Sequence, residues 1–393
     1  MPFNLFDTLD DAILKMERHE SRIARVPSMW PSEASSDLND QTEAEGCGKC
    51  RRAVYFRMTG RPETNPPDAM SCQIMRLGRA METEVVAQMK ASNLYVANGV
   101  RHAVEDVQLS FEMDAVVLNP ETKQGIITEV KSFDGYYSQK AIIIEGKPKL
   151  EHVLQLCIYL NELRTGARMK EVINKGIFDR TTNPELALKK RNRIEANEDN
   201  VALMNDGPLA GKLLYVNRTG RDRREFDVSL FADADGYHYP AIDCQPWKVF
   251  TMENTYDRIR ECQEYWQRAV EAAQDKLAAR GIHKPLGVIK PMPSDYDAYW
   301  SQVAEEIMDL PDTFLPKTDF QYRYSKEKIE ELSKLGKIPK AKYTAWKKRH
   351  AIIGAWQCRY CSYKNYCVGK EYPELRYLFL DTGAKTEELG EED

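Results

Sequence analysis

Asp114, Glu129 and Lys131 are the residue types that metal-assisted hydrolysis of a phosphodiester requires, and their spacing can bring them together. Asp114 closes the stretch V-Q-L-S-F-E-M-D (107–114), in which Val107, Leu109, Phe111 and Met113 alternate with the remaining residues. Glu129 and Lys131 lie in G-I-I-T-E-V-K (125–131), two positions apart and therefore on one face of an extended chain. Two or three carboxylates can hold a hard divalent cation, which offsets charge on a pentacovalent phosphate and lowers the pKa of a bound water. A lysine on the same face can orient or deprotonate that water and stabilise the developing charge. Gln155 and Tyr159 follow at the i,i+4 spacing that brings two side chains to one side of a helix. His152 lies on the flank of the same segment and is read as a polar neighbour.

A second group of reactive residues is made of sulfur. W-Q-C-R-Y-C-S-Y-K-N-Y-C (356–367) places Cys358, Cys361 and Cys367 as C-x2-C-x5-C, and no cysteine follows. Soft thiolates suit zinc or iron–sulfur, and a four-cysteine site needs a ligand from elsewhere. Cys47 and Cys50 supply candidates. C47-x2-C50 with C358-x2-C361 makes a four-cysteine zinc site that leaves Cys367 unused, whereas a set containing all three C-terminal cysteines needs only one of the earlier pair. Cys72, Cys157, Cys244 and Cys262 are isolated and are read as packed thiols.

The elements that must position these groups follow from periodicity. Helices are expected over 4–24, 74–89 and 150–160, and a long amphipathic one carries Val249, Met252, Tyr256, Ile259, Trp266 and Val270 on one face. Strands are expected at 107–114 and 125–131 across the turn N-P-E-T-K-Q-G, and at 212–216 and 225–230 across the basic turn R-T-G-R-D-R-R (218–224). The chain has 393 residues, 42% hydrophobic and 30% charged, which is material for a sizeable soluble core. A formal charge of −5 excludes whole-surface attraction to nucleic acid and leaves local basic patches: 189–193, 218–224 and 340–350, the last with Tyr343 and Trp346 among its lysines. No apolar run is long enough for a membrane span, and the N-terminal residues lack a charged leader before an apolar stretch, so a reducing cytoplasm, bacterial or phage-infected, is expected.

Asp…Glu-x-Lys on adjacent strands resembles the PD-(D/E)xK nuclease superfamily, and the added Gln-x3-Tyr is similar to its RecB-like branch. G78-R-A-M-E82 resembles that branch's upstream helical motif. The resemblance covers roughly 45–165, the strands at 212–230 and the C-terminal cysteines. It implies a restriction-endonuclease-like α/β core with a central mixed sheet flanked by helices. Asp114, Glu129, the backbone carbonyl of Val130, and Glu82 would hold Mg2+ or Mn2+, with Lys131 as the catalytic lysine and Gln155 and Tyr159 positioning lysine or substrate. Met113 stands where the superfamily's motif nominally has proline. RecB-like nucleases of the subset that includes CRISPR-adaptation and helicase-linked exonucleases carry a 4Fe–4S cluster with three ligands after the core and one far before it. That resemblance assigns Cys50, followed by R-R-A-V-Y, as the distant ligand of Cys358, Cys361 and Cys367, in preference to zinc.

The expected organisation is a helical arm and loop (1–45), the core with its motifs (46–165), a charged insertion (166–208), core strands and a long helix (209–284), a helical insertion (285–350), the cluster motif (351–372) and an acidic tail (373–393). The expected activity is metal-dependent hydrolysis of DNA, by processing of single-stranded or duplex ends, in phage recombination, replication, repair or spacer capture. The alternative is a catalytically silent nucleic-acid-binding or assembly subunit. A protein partner or self-association stays open.

Overall fold

Apolar residues with a period of two, many of them β-branched, pack well on a pleated surface, and they mark most of the chain's long strands. The computed structural model describes residues 5–17, 28–38, 47–182, 194–284, 293–334, 336, 338, 340–349, 352 and 354–371. The chain divides into two compact units: Met1–His19, Ala24–Lys49 and Asp68–Glu264 form the first, and Glu20–Ile23, Cys50–Pro67 and Tyr265–Asp393 the second.

The strands in chain order are β1 (Ser35–Ser36), β2 (Cys47–Gly48), β3 (Tyr95–Val104), β4 (Leu109–Leu118), β5 (Gly125–Phe133), β6 (Glu195–Ala196), β7 (Ala210–Asn217), β8 (Arg223–Ala232), β9 (His238–Ile242) and β10 (Gln245–Pro246). Eight of them build one mixed sheet in the first unit, ordered β10-β9-β8-β7-β5-β4-β3-β6; β1 and β2 pair separately. Neighbours run antiparallel except β5 and β7, which are parallel in register from Ile126 against Ala210 to Phe133 against Asn217. A parallel pair needs a crossover, and the helices Leu150–Leu163 and Gly166–Thr182 lie within the one between them.

Helices cover both faces of β5, so that strand is buried at almost every position rather than at every second one. On one face Gln155, from the helix Leu150–Leu163, reaches Glu129. On the other, Val85 of the helix Ala69–Ala91 packs with Val130 and Val216, and Met81, Met89 and Leu214 extend the contact. Two glycines permit this close layering. A Cβ on Gly211 of β7 would stand 3.1 Å from both Leu156 and Leu160, and one on Gly78 would stand 3.2 Å from the Ser132 hydroxyl. Asp68 starts the helix Ala69–Ala91 by accepting the Ser71 N–H at 2.7 Å. The β4–β5 turn is held by Asn119, whose side-chain oxygen accepts from the N–H groups of Glu121 and Thr122.

Several expectations shift. The first helix is Leu5–Glu17, with 18–24 outside the described residues. The helix expected at 74–89 begins at Ala69. β3 and β9 join the sheet without having been expected. Residues 166–208, expected as an insertion, contribute the edge strand β6 and a helix whose Met169, Val172 and Ile173 are buried. The long helix runs Met252–Ala279. Among the described residues no helix is long and apolar enough to cross a membrane.

In the second unit, Val54, Tyr55, Phe56 and Met58 of the helix Arg51–Met58 are buried. The Arg51 guanidinium meets Asp319 at 2.7 Å, and Arg52 donates to the Pro316 carbonyl at 2.8 Å. Residues 50–67, expected with the core, therefore belong with the helical span expected at 285–350, which includes the helices Pro293–Met308, Lys326–Lys334 and Lys340–Arg349. The basic stretch 189–193 and the acidic tail lie outside the described residues.

Candidate active site and cysteine region

The carboxylate site begins where two strands part. The β4–β5 ladder runs from Leu118 against Gly125 to Ala115 against Thr128, one step short of Asp114 and Glu129. The Val130 N–H finds its acceptor in the Asp114 carboxylate, at 2.7 Å to Oδ2. Glu129, 1% exposed, accepts from the Lys131 ammonium at 2.5 Å and from Gln155 Nε2 at 2.7 Å, both at Oε1. Gln155 Nε2 also lies 2.6 Å from the Tyr159 hydroxyl. Tyr159 is buried, and its ring packs on Phe111 of β4 with centroids 4.8 Å apart.

Charge describes the same site. Burial pushes Asp114 well above the usual carboxylate range, and the negative charges of Glu129 and Glu82 push it further. Glu82 is raised by burial and then by Glu129, with Lys131 acting against them. Burial alone would lower the Lys131 ammonium, but Glu129 and Asp114 carry its pKa above the ordinary value. Tyr159 is raised by burial and by Glu129. Hydrogen bonds thus join Lys131, Glu129, Gln155 and Tyr159, Asp114 is bonded to the Val130 N–H between Glu129 and Lys131, and Glu82 is tied to them through charge alone. Burial, and then Lys131 and Lys149, push His152 well below the ordinary imidazole range. Its Nδ1 lies 2.8 Å from the Tyr215 hydroxyl, which also accepts the Lys149 N–H at 3.0 Å. Tyr215 was not singled out from sequence, because a tyrosine in K-L-L-Y-V looks like any other strand residue.

Among the described residues no three His, Cys, Asp or Glu side chains are grouped so as to hold a metal ion. The donor chemistry of the carboxylate site nevertheless fits a divalent cation. Glu129 Oε2 is buried with no hydrogen-bond partner, and an unsatisfied buried carboxylate oxygen is costly unless something positive meets it. Two carboxyls raised by burial and then by their neighbours' charge are also what a dication would relieve.

The cysteine region is in the second unit, where Cys50, Cys358, Cys361 and Cys367 all lie. Cys50 precedes the helix Arg51–Met58, and burial followed by Asp319 raises its thiol. Phe56 meets Tyr363 and Tyr366 edge-on, with ring centroids 5.7 and 5.5 Å apart. Arg61 stacks over the Phe56 and Tyr366 rings. The N–H groups of Thr64 and Asn65 donate to the Ser362 carbonyl at 2.8 and 2.9 Å, and the Tyr366 hydroxyl donates to that of Pro62 at 3.0 Å. The Tyr363 N–H points at Cys361 Sγ, 3.4 Å away, a donor suited to a thiolate. Three half-buried thiols on two short helices and the turn between them, tied to the segment that follows Cys50, fit a soft metal or cluster by donor type. Cys47 is placed differently. It is buried in β2 of the first unit, and burial pushes its thiol up to about 12.

Set against protein-family models, curated proteins and solved structures, the chain matches none of them.

Proposed function

We propose that the first unit is a metal-dependent DNA nuclease with a restriction-endonuclease-like core of the RecB type, and that the second carries a structural 4Fe–4S cluster. The observation that carries the reading is Glu129: its Oε1 is engaged by Lys131 and Gln155 while Oε2, equally buried, has no partner. Asp114, Glu129, Glu82 and the Val130 carbonyl would hold Mg2+ or Mn2+, which would supply charge neutralisation and a more acidic water.

The chain's own residues do the positioning. Gln155 fixes the Glu129 carboxylate from the helix side, and Tyr159 limits where Gln155 can turn. Lys131 stays protonated between carboxylates, ready to meet a substrate phosphate oxygen and the charge that grows on it. Asp114 takes the Val130 N–H and thereby sets the backbone from which Glu129 and Lys131 project.

For the sulfur site, Cys50, Cys358, Cys361 and Cys367 would be the ligands. Their common unit supports Cys50 over Cys47, and zinc is the competitor. A brown protein with iron and acid-labile sulfide is expected; a colourless one with stoichiometric zinc after anaerobic purification would exclude the cluster. The test of the nuclease is cleavage of labelled DNA in Mn2+ by wild type, Asp114→Ala and Lys131→Ala. Activity surviving in both variants would remove the site assignment, and none on any DNA would leave a silent binding module.

A further inference from the structure

The carboxylate site lies near the C-terminal end of β5, and the topology places two other features at that end. Because β5 and β7 are parallel with Phe133 against Asn217, the segment after β5 and the turn after β7 emerge side by side. In open α/β sheets, that is the edge at which ligands bind. The turn after β7 and the first two residues of β8 make up the basic stretch 218–224, and the segment after β5 carries Tyr136 and Tyr137.

These tyrosines are out of place for folding. Tyr136 is 68% exposed and Tyr137 86%, with ring centroids 5.7 Å apart at 73°. They stand three and four residues beyond Phe133, at the start of a short helix that continues into one turn of π-helix, Lys140–Ile144. The segment is tied to the basic turn. The Arg218 N–H donates to the Phe133 carbonyl at 3.0 Å, Gln139 donates to Asp222 at 3.0 Å, and Arg218 lies 3.9 Å from Asp134. Arg218 Nε is buried with no hydrogen-bond partner, and Arg221, Arg223 and Arg224 are exposed.

Exposed aromatic rings on a segment bonded to an arginine-rich turn, with the rings presented rather than packed, suit a strand whose bases are unpaired. Phosphates meet the cations, and bases stack on the rings whatever their sequence. A duplex keeps its bases stacked inside and has no use for such rings. We infer that Tyr136 and Tyr137, with the turn at Arg218–Arg224, form a stacking platform that delivers an unpaired DNA strand to the carboxylate site. The inference rests on reading that site as a nuclease and narrows its substrate to single-stranded DNA or a frayed end.

The test is equilibrium binding of a labelled oligodeoxythymidylate and of a blunt duplex in Ca2+, with cleavage in Mn2+ followed in parallel. Tyr136→Ala/Tyr137→Ala should weaken single-strand binding about tenfold or more while leaving duplex affinity within about twofold. Tyr136→Phe/Tyr137→Phe should keep wild-type affinity, and Arg221→Ala should reduce the slope of log affinity against log salt by about 1. Single-strand affinity indifferent to the alanine pair, an equal loss for duplex, or no single-strand binding by wild type would overturn the platform. Tyrosine-dependent binding without cleavage would sink the nuclease reading alone. Cleavage abolished by Lys131→Ala, with binding indifferent to the tyrosines, would sink the platform alone.

Discussion

The carboxylate site and the cysteine region are built by different means. Around Asp114 and Glu129 the scaffold is regular: strand register, two helix layers and short side-chain bonds fix Glu129 Oε1 and the Val130 N–H. Around the cysteines it is two short helices, Trp356–Arg359 and Lys364–Glu371, held to residues 56–65 by ring contacts, a stacked arginine and bonds to backbone carbonyls. A site on regular elements is in place before its ligand arrives. A site on short helices draws more of its order from what it binds.

That contrast can be broken most sharply at the carboxylates. Asp114→Ala or Lys131→Ala should reduce DNA cleavage by about 100-fold or more, as removal of a group acting on the reaction does, with circular dichroism unchanged. A tenfold loss or less would mean that the regular scaffold holds a structural charge cluster. Next in size is the proposed cluster. Cys50→Ser and Cys361→Ser should each lose the broad absorbance near ~400 nm and lower the melting temperature, whereas Cys47→Ala should keep the absorbance. Loss of absorbance in the Cys47 variant would move the fourth ligand to the first unit.

Smaller effects sharpen the electrostatic side. Asp114 and Glu82 are raised above their ordinary values, so the folded, metal-free protein holds protons that the unfolded chain has released. Their contribution to stability is therefore full below the ordinary carboxylate range and is lost as pH rises through the raised values. Asp114→Asn, which keeps an acceptor for the Val130 N–H, should melt higher than wild type in EDTA at neutral pH, by about 2–4 °C for each kcal/mol relieved in a unit of this size. The difference should vanish in acid, and an unchanged or lower melting point at neutral pH would show that burial strains the site little. The smallest signal is the proton balance of Mn2+ binding: calorimetry in buffers of different ionisation enthalpy should show protons released, with affinity rising with pH.

Much of the first unit was legible because its key strands alternate or are apolar throughout. Asp114 follows a run of alternating apolar residues, and Glu129 and Lys131 sit in a strand bounded by Gly125. β3 was not legible, since N-G-V-R-H interrupts its pattern with turn and charged residues, and its pairing with β4 decides the matter. β9 contains Tyr239 and Pro240 in five residues and is a strand only because β8 is beside it. The placement of residues 50–67 with the C-terminal unit rests on contacts nearly 300 positions apart, such as Thr64 with Ser362, which no local pattern encodes. Tyr136 and Tyr137 follow Lys131 closely in sequence, yet only their exposure sets them apart.

The parallel pairing of β5 with β7 has a kinetic meaning. Asp114, Glu129 and the Val130 N–H lie on one hairpin, which can close within microseconds of the chain's collapse. Gln155 and Tyr159 arrive only with the crossover that lets β7 find β5, a non-local step and so a slow one. Until then the hairpin stays in water, and Asp114 lacks the burial that raises it. The raised carboxyl groups are thus a late product of folding, and their protonation would report when the sheet is complete.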